Sequence, residues 1–493
     1  MDGFDIKTKT RPYRFYDTAV SLCPACLRRV DAKIVFQEGC VWMHKRCPQH
    51  GFQKVLIADD IGFYRRAREV YIKVPEQVLQ CNTPVKWGCP YDCGICPDHE
   101  QHGCTLIIEL TDNCNLRCPT CYAASGPERK THRSLAQIQR MLDRAVANEG
   151  RPAVLQLSGG EPTLHPQFFD ILALVRERPI EHLLLNTNGI RIATDRRFAE
   201  QLKESYPDIE IYLQFDSFRR QAHELLRGAD LTRVRQQALT TLNELNISTT
   251  LVSTVRRGVN DDELGEIIEF GVKQRCVRGV TFQPVQAAGR LESYNGGYDG
   301  QRDRLTLTEV RRRILQQTAL FSPEDIIPVP CHADSVAMAY ALKMEEKIVP
   351  LTGLVDEEFL LNDVRNTISY ENEPAAKEKL FDLFSTHHSP QSQANAVTDF
   401  LKAAGTSGAL DNLGYANVFR VLIVQFIDAY DFDLRSIRKT CVHIVHPDGK
   451  RVIPFDTYNL FYRDELEEQV LTPLRRERES VTIAQPVFEA EPL

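Results

Sequence analysis

Twelve of the chain's 15 cysteines lie within its first 121 residues, and they come in spaced groups rather than singly. A small secreted domain uses such a density for disulfides, but a chain of 493 residues can bury a core large enough to do without them. The amino-terminal stretch MDGFDIKTKTRPYRF is charged from its second residue and has no apolar core of a secretory signal. A cytoplasmic, reducing setting is therefore expected, in which clustered thiols ligate metals or iron–sulfur clusters. No run approaches the ~18 apolar residues of a membrane span. A net charge of −7 gives no electrostatic reason to bind nucleic acid. The run Arg475-Arg476-Glu477-Arg478 reads as solvated helix surface.

Past the cysteine-rich head the pattern becomes periodic. Strands are expected at Thr105–Thr111, Ala153–Leu157, His182–Leu185, Ile209–Phe215, Ser248–Ser253 and Gly279–Gln283. Helices are expected between them at Ser134–Asn148, Pro166–Arg176, Arg197–Glu204, Thr232–Leu245 and Asp261–Gln274. Short β-branched runs alternating with amphipathic helices specify parallel βα units, and six of them make an open, partial (βα)6 TIM-like barrel of the α/β class. Five segments are expected: a small metal-binding domain over 1–80 with one strand at Ala32–Gln37, a cysteine loop over 81–104, the barrel over 105–290, a mainly helical region over 291–480, and a disordered tail over 481–493. The helical region reads as Leu307–Leu320, Val336–Lys347, Ala376–Phe384, Ala394–Ala404 and Ala416–Tyr430. A hairpin, Thr440–Val445 and Arg451–Pro454, turns at Pro447-Asp448-Gly449.

The central motif is Cys114-Asn-Leu-Arg-Cys118-Pro-Thr-Cys121, directly after the first expected barrel strand. Three thiolates in one loop hold three corners of a cubane 4Fe–4S cluster and leave one iron open. An open iron can chelate the amino and carboxylate groups of S-adenosylmethionine, and an electron passed to the sulfonium then yields a 5′-deoxyadenosyl radical. This CxxxCxxC spacing at a strand end of a partial barrel resembles the radical SAM superfamily. Ser158-Gly159-Gly160-Glu161-Pro162 is similar to the superfamily's GGEP motif, where a glycine turn and a nearby carboxylate meet the methionine ammonium. By the same resemblance Asn188, Gln214, Asp216, Ser253 and Thr254, all at strand ends, are candidates for ribose or methionine contacts. Many members carry an aromatic residue just before the third cysteine. Here that position is Thr120, and Tyr122 follows the cysteine.

Two further groups read as metal sites. Cys23-Pro-Ala-Cys26 with Cys40 and Cys47 suits a four-thiolate mononuclear site for iron or zinc, with His44 and His50 as alternative ligands beside the second pair. Cys89, Cys93 and Cys96 repeat the three-ligand spacing, and Cys104 supplies a fourth thiolate for a closed auxiliary 4Fe–4S cluster suited to electron relay. Cys81 is left as a spare, expected to be buried, and Cys276 as a core residue.

The order of these motifs, from the CxxC knuckle through CNLRCPTCYA, SGGEPT, LNTNG and YLQFDS to GVTFQPV, resembles the tetraether-lipid synthase group of radical SAM proteins, formerly labelled methanopterin methylases. The resemblance spans roughly residues 20–460. It implies hydrogen abstraction from an unactivated C–H and C–C coupling on a lipid or other long-chain substrate. A ferredoxin- or flavodoxin-like electron donor and peripheral contact with a membrane surface are implied as well. Methyl or one-carbon transfer is the nearest alternative, and peptide modification a third; the acidic balance and the SGGEP segment argue against a non-catalytic metal-binding or nucleic-acid-binding protein, and a ferredoxin-like carrier would not need six βα units. Ser335 and Asp456 stand where the group's pattern has cysteines, leaving Cys331 and Cys441. The C-terminal cluster is therefore expected to be absent or altered, with Asp456, His332 or His443 as the alternative ligands that could complete a site.

Overall fold

The computed structural model describes residues 11–74, 78–294, 297–344, 347–354, 357–362 and 417–483. The head is an antiparallel ribbon of four strands, β1 (Arg14–Leu22), β2 (Arg29–Gln37), β3 (Cys40–Cys47) and β4 (Gly51–Ala58), each paired with the next. Helix α1 (Ile61–Glu69) follows, started by the Asp60 carboxylate, which accepts from the Phe63 N–H at 2.9 Å. Buried Lys45 pins the ribbon to the rest of the molecule: its Nζ donates to the carbonyls of Leu22, Ala429 and Tyr430 at 2.7–2.8 Å.

The barrel begins with β5 (Thr105–Thr111) and a two-residue strand β6 (Thr120–Cys121) in the loop beyond it. Next come β7 (Val154–Gly159), β8 (His182–Thr187), β9 (Glu210–Gln214), β10 (Thr249–Val255) and β11 (Val277–Pro284). β5, β7, β8, β9, β10 and β11 are parallel neighbours in that order, so the six expected strands form the partial barrel. Helix α2 (Leu135–Glu149) and the later crossover helices cover the outside. Strand β12 (Arg290–Leu291) pairs with β6 and ties the end of the barrel back to the cysteine loop.

Further along the chain, β13 (Ile327–Pro328), β14 (Val336–Met344), β15 (Lys347–Pro350), β16 (Val418–Val424), β17 (Val442–Val445) and β18 (Val452–Pro454) extend the same sheet. β16 adds parallel to β11, and β17 adds parallel to β5 at the opposite edge. This corrects two expectations, because Val336–Lys347 and Ala416–Tyr430 are not helices. Their apolar runs are buried along their length, Val336 to Leu342 and Phe419 to Val421, and in such a run periodicity does not distinguish a strand covered on both faces from a buried helix. The expected helix from Leu307 is present as Leu307–Gln317, and the hairpin is β17–β18. The helices expected at 376–384 and 394–404 lie outside the described residues, as does the tail from 484. Residues 481–483 end a helix, Thr472–Ile483.

Strand alternation sorts the barrel residues into two sets. Leu106, Ile108, Leu155, Leu157, Leu183, Leu185, Ile211, Leu213, Val280 and Phe282 face the helices in one continuous core. The residues between them, among them Ile107, Gln156, Leu184, Tyr212, Thr281 and Leu422, line a cavity of about 220 Å³ inside the barrel. At the N-terminal ends of the strands this lumen is floored by a buried charge cluster. Arg420 Nη2 donates to both Glu210 carboxylate oxygens at 3.0 Å, His182 Nε2 lies 2.7 Å from one of them, and Thr250 Oγ1 donates to the other at 2.5 Å. Burial alone would push the Glu210 carboxyl up, but the Arg420 charge and these hydrogen bonds hold it well below the ordinary carboxylate range.

A depressed folded pKa contributes stability that is present above the unfolded value, near pH 4, and is lost as pH falls through the folded value. Arg420→Met strands the Glu210 charge, so it should cost about 3–5 kcal/mol and remove much of the stability gain between acid and neutral pH. Denaturant melts of the holoprotein across pH measure both.

Candidate functional site

The cysteine loop leaves β5 at the C-terminal mouth of the lumen. Cys114, Cys118 and Cys121 all line the cavity there, with Cys114 and Cys118 buried and Cys121 partly so. Burial pushes the Cys114 thiol up to about 12 and raises Cys118 as well, so without a metal these thiols stay protonated. A bound cation reverses that balance, because a coordinated thiol ionises. Three convergent thiols in one loop, without a fourth among their contacts, fit a cluster with one open iron.

The loop is held by the turn at the end of β7. Gly160 N donates to the Thr111 carbonyl at 2.7 Å and Glu161 N to the Asn113 carbonyl at 2.8 Å. A Cβ on Gly159 would fall onto the Thr111 carbonyl oxygen, and one on Gly160 onto that of Asn113. Gly159 also has φ +126°, where a side chain is strained. Close approach of the β5 backbone therefore requires both glycines.

The structure divides the other candidate cofactor contacts. Gly159, Gly160, Asn188, Gln214 and Thr254 line the cavity, whereas Ser158, Glu161, Pro162, Asp216 and Ser253 stand behind it. Glu161 is fully buried and accepts from Thr163 Oγ1 (2.6 Å), Thr163 N (3.2 Å), Thr187 Oγ1 (2.8 Å) and Asn188 N (2.8 Å). It thus fixes Asn188, whose Nδ2 donates to Asn115 Oδ1 in the cysteine loop at 2.7 Å. Asp216 is also fully buried and receives Arg227 Nε at 2.7 Å. Arg227, for which the sequence carries no signal, lines the lumen itself: Nη2 donates to Gln214 Oε1 at 2.7 Å and Thr254 Oγ1 at 3.0 Å, and the side chain reaches Cys118. Asn186 extends the row, accepting from Gln214 Nε2 at 2.9 Å and donating to Ser158 Oγ at 3.1 Å. Tyr122 also lines the lumen, and Thr120 is tied to Ser293 at 2.7 Å.

The opposite wall is apolar and comes from the C-terminal strands and their flanks. Val336, Leu422, Val424, Phe426, Val442 and Phe455 face the lumen, with the Phe426 and Phe455 rings 3.9 Å apart. The lumen is thus bounded by thiols at the mouth, a polar row on one side, an apolar wall on the other and charges at the floor.

The ribbon group differs from the expected set at one position. Cys23, Cys26, Cys47 and His50 bring one donor atom each within 4.8 Å of one another. Cys40 is not among them, because it begins the strand that Cys47 ends, ~23 Å away at 3.3 Å per residue. The Cys23–Cys26 knuckle and His50 occupy the β1–β2 and β3–β4 turns, which lie at the same end of an antiparallel ribbon. Burial pushes Cys47 up, but hydrogen bonds from the Gln49 and His50 backbone and the His50 ring bring it down to about 6. His44 sits mid-strand against Tyr13 and Phe52.

The interior cysteines also regroup. Cys89 and Cys96 are hydrogen-bonded to each other, Cys93 lies beside Cys96, and Cys93 Sγ accepts from Thr457 Oγ1 at 3.0 Å. Cys104 does not join them: it is in contact with Cys331 and Cys441. Strand pairing is the reason, since Thr105 lies opposite Val442 and the residues preceding them, Cys104 and Cys441, fall side by side. The Asp456 carboxylate accepts from Ile427 N at 2.6 Å and Thr440 Oγ1 at 3.2 Å, and burial raises it to about 7. Cys276 is buried in the core, whereas Cys81 is exposed, contrary to its expected burial.

A model of the Radical SAM superfamily matches residues 108–271, and one of the HMPTM N-terminal zinc ribbon domain matches residues 15–59. The chain is 31% identical to the 7,8-dihydro-6-hydroxymethylpterin dimethyltransferase of Methanocaldococcus jannaschii, over 92% of this chain and 96% of that one. It is 31% identical to the GTP 3′,8-cyclase of Syntrophomonas wolfei subsp. wolfei over 38% of this chain and 57% of the cyclase. Among solved structures, Streptococcus suis SuiB bound to S-adenosylmethionine is similar at a TM-score of 0.36 and 18% identity, covering 44% of this chain and 47% of SuiB.

Two substitutions test these placements. His50→Ala should lose the ribbon metal while Cys40→Ser keeps it at full occupancy, as measured by elemental analysis of the purified protein. Gly160→Ala should displace the cysteine loop and cut S-adenosylmethionine affinity at least tenfold, read by equilibrium binding under anaerobic conditions.

Proposed function

This chain belongs to the radical SAM family of the 7,8-dihydro-6-hydroxymethylpterin dimethyltransferase of Methanocaldococcus jannaschii, and on that premise we propose that it takes a hydrogen atom from an unactivated C–H of an apolar substrate segment lying in the barrel lumen. It is an S-adenosylmethionine-dependent enzyme with a 4Fe–4S cluster, and that pair supplies the hydrogen-abstracting radical. The observation that carries the proposal is the lumen itself, in which Cys114, Cys118 and Cys121 share one cavity with the wall of Val336, Leu422, Val424, Phe426, Val442 and Phe455. A wall without hydrogen-bonding groups suits a hydrocarbon chain and keeps water from the reacting carbon. The residues present have defined tasks: Asn188, Gln214, Thr254 and Arg227 orient the cofactor at the mouth, and the apolar wall sets the depth and direction of the substrate.

C–C bond formation on a lipid or long chain is the finer form of this reading, and it rests on the motif order that resembles the tetraether-lipid synthase group. One-carbon transfer to a pterin is the second reading, favoured by the name of the full-length relative and by the polar row Asn186, Tyr212, Gln214 and Gln283, which offers hydrogen bonds to a heterocycle edge. The exposed apolar side chains of Val70, Ile72, Val74, Leu79 and Val85 support contact with a lipid surface within this reading. Among the described residues no helix is long and apolar enough to cross a membrane. A small electron-transfer protein serves as reductant.

Dithionite-reduced holoprotein with S-adenosylmethionine should release 5′-deoxyadenosine, and Cys118→Ala should abolish it. With a perdeuterated long-chain lipid the product should carry deuterium; deuterium arriving instead from a labelled dihydropterin would select the second reading.

A further inference from the structure

Behind the lumen, three thiols from three distant parts of the chain meet, with no fourth thiol against them among the described residues. Cys104, Cys331 and Cys441 are in mutual contact and are 0%, 3% and 0% exposed. Gln101 Nε2 donates to Cys104 Sγ at 3.8 Å, as an amide does to a metal-bound sulfur. Ser335 and Asp456 bring no thiol to this trio, and Asp456 already accepts the two hydrogen bonds given above.

Four histidines, three of them buried and His99 partly so, lie around these sulfurs, and their partners distinguish them. His99 and His443 direct their Nε2 atoms at each other, 2.9 Å apart. His332 Nε2 meets Ser436 Oγ at 3.1 Å. His102 differs: its Nε2 lies 3.7 Å from Cys104 Sγ, while its Nδ1 is held by Glu149 Oε2 at 3.0 Å. The other Glu149 oxygen accepts from Gly103 N at 2.9 Å, so the carboxylate is fixed at both ends. Both side chains are almost wholly buried. A carboxylate on Nδ1–H sets the tautomer that turns the Nε2 lone pair toward Cys104, and this carboxylate–histidine arrangement supports metal-bound imidazoles in general.

We propose that His102 is the fourth ligand of an iron–sulfur cluster held by Cys104, Cys331 and Cys441, with Glu149 as the residue that positions it. The donor set is soft and lies away from water, and it neighbours a second trio, Cys89, Cys93 and Cys96, across Asp456, which acts electrostatically on both Cys93 and Cys441. Two thiolate-rich centres side by side are suited to electron relay, which zinc cannot perform. Imidazole in place of thiolate removes a negative charge from the cluster and raises its reduction potential. The proposal does not depend on the substrate reading above.

The test is pulsed electron paramagnetic resonance on the reduced holoprotein without S-adenosylmethionine, grown with 14N- or 15N-histidine. A strong nitrogen coupling that changes with the isotope is expected. His102→Ala should lose the coupling and about one cluster's iron and sulfide. His102→Cys should keep the iron and sulfide, lose the coupling and shift one potential downward, which separates lost ligation from misfolding. Glu149→Gln should keep the coupling but release iron to a chelator faster. The absence of an isotope-sensitive coupling in the wild type, its persistence in His102→Cys, or zinc in place of iron at the trio would overturn the proposal.

Discussion

The contact on which the site depends is between two stretches of backbone, the Gly159-Gly160 turn and the end of β5 at Thr111–Asn113. Neither glycine has room for a single further carbon, and the two hydrogen bonds between the stretches fix where the cysteine loop begins. That start point decides that Cys114, Cys118 and Cys121 face the lumen. Glu161, one residue on, spends its whole carboxylate on its own turn at Thr163 and on the next loop at Thr187–Asn188, and so carries the same placement to Asn188 and back to Asn115. A buried carboxylate with four donors is a scaffold piece. Sequence motif reasoning made Glu161 a cofactor contact; in the fold its carboxylate is buried on Thr163, Thr187 and Asn188 beside the cysteine loop.

The parts legible in the sequence are those set by local rules. Alternation of β-branched runs with amphipathic helices named all six barrel strands, because the parallel core needs that composition along the chain. The CxxxCxxC loop and the GGEP turn were legible because each is a short segment with its own geometry. What pairing over long distance decides was not legible. Residues 336–344 carry Ala, Leu and Met in a helix-like pattern, and 418–424 form an apolar run interrupted only by Arg420, yet both enter the sheet, since β16 finds an open parallel edge on β11. Arg227 gave no sign of its place in the lumen, because it reaches there from a surface helix, Arg220–Arg227, through partners at Gln214, Asp216 and Thr254.

The metal sites follow the same division. For the ribbon, antiparallel geometry alone excludes Cys40, since its strand carries it to the far end from Cys47; counting thiols in order concealed this. For the interior trio no local rule suffices. Cys104 follows Cys96 by eight residues and reads as its companion, yet parallel pairing of β5 with β17 puts it beside Cys441, 337 positions away in the chain. With Ser335 and Asp456 in place of thiols, the inner cysteines gather as two trios, Cys89, Cys93 and Cys96 and then Cys104, Cys331 and Cys441.

The central claim is that the cysteine triad at the lumen mouth presents an open coordination position to S-adenosylmethionine. The most direct measurement is the electron paramagnetic resonance spectrum of the reduced holoprotein with and without that cofactor. Addition of S-adenosylmethionine should change the g-values of one cluster component while leaving the others unmoved, and the responsive component should be missing from Cys121→Ala. A spectrum indifferent to the cofactor, or one in which the responsive component survives that substitution, would contradict the account.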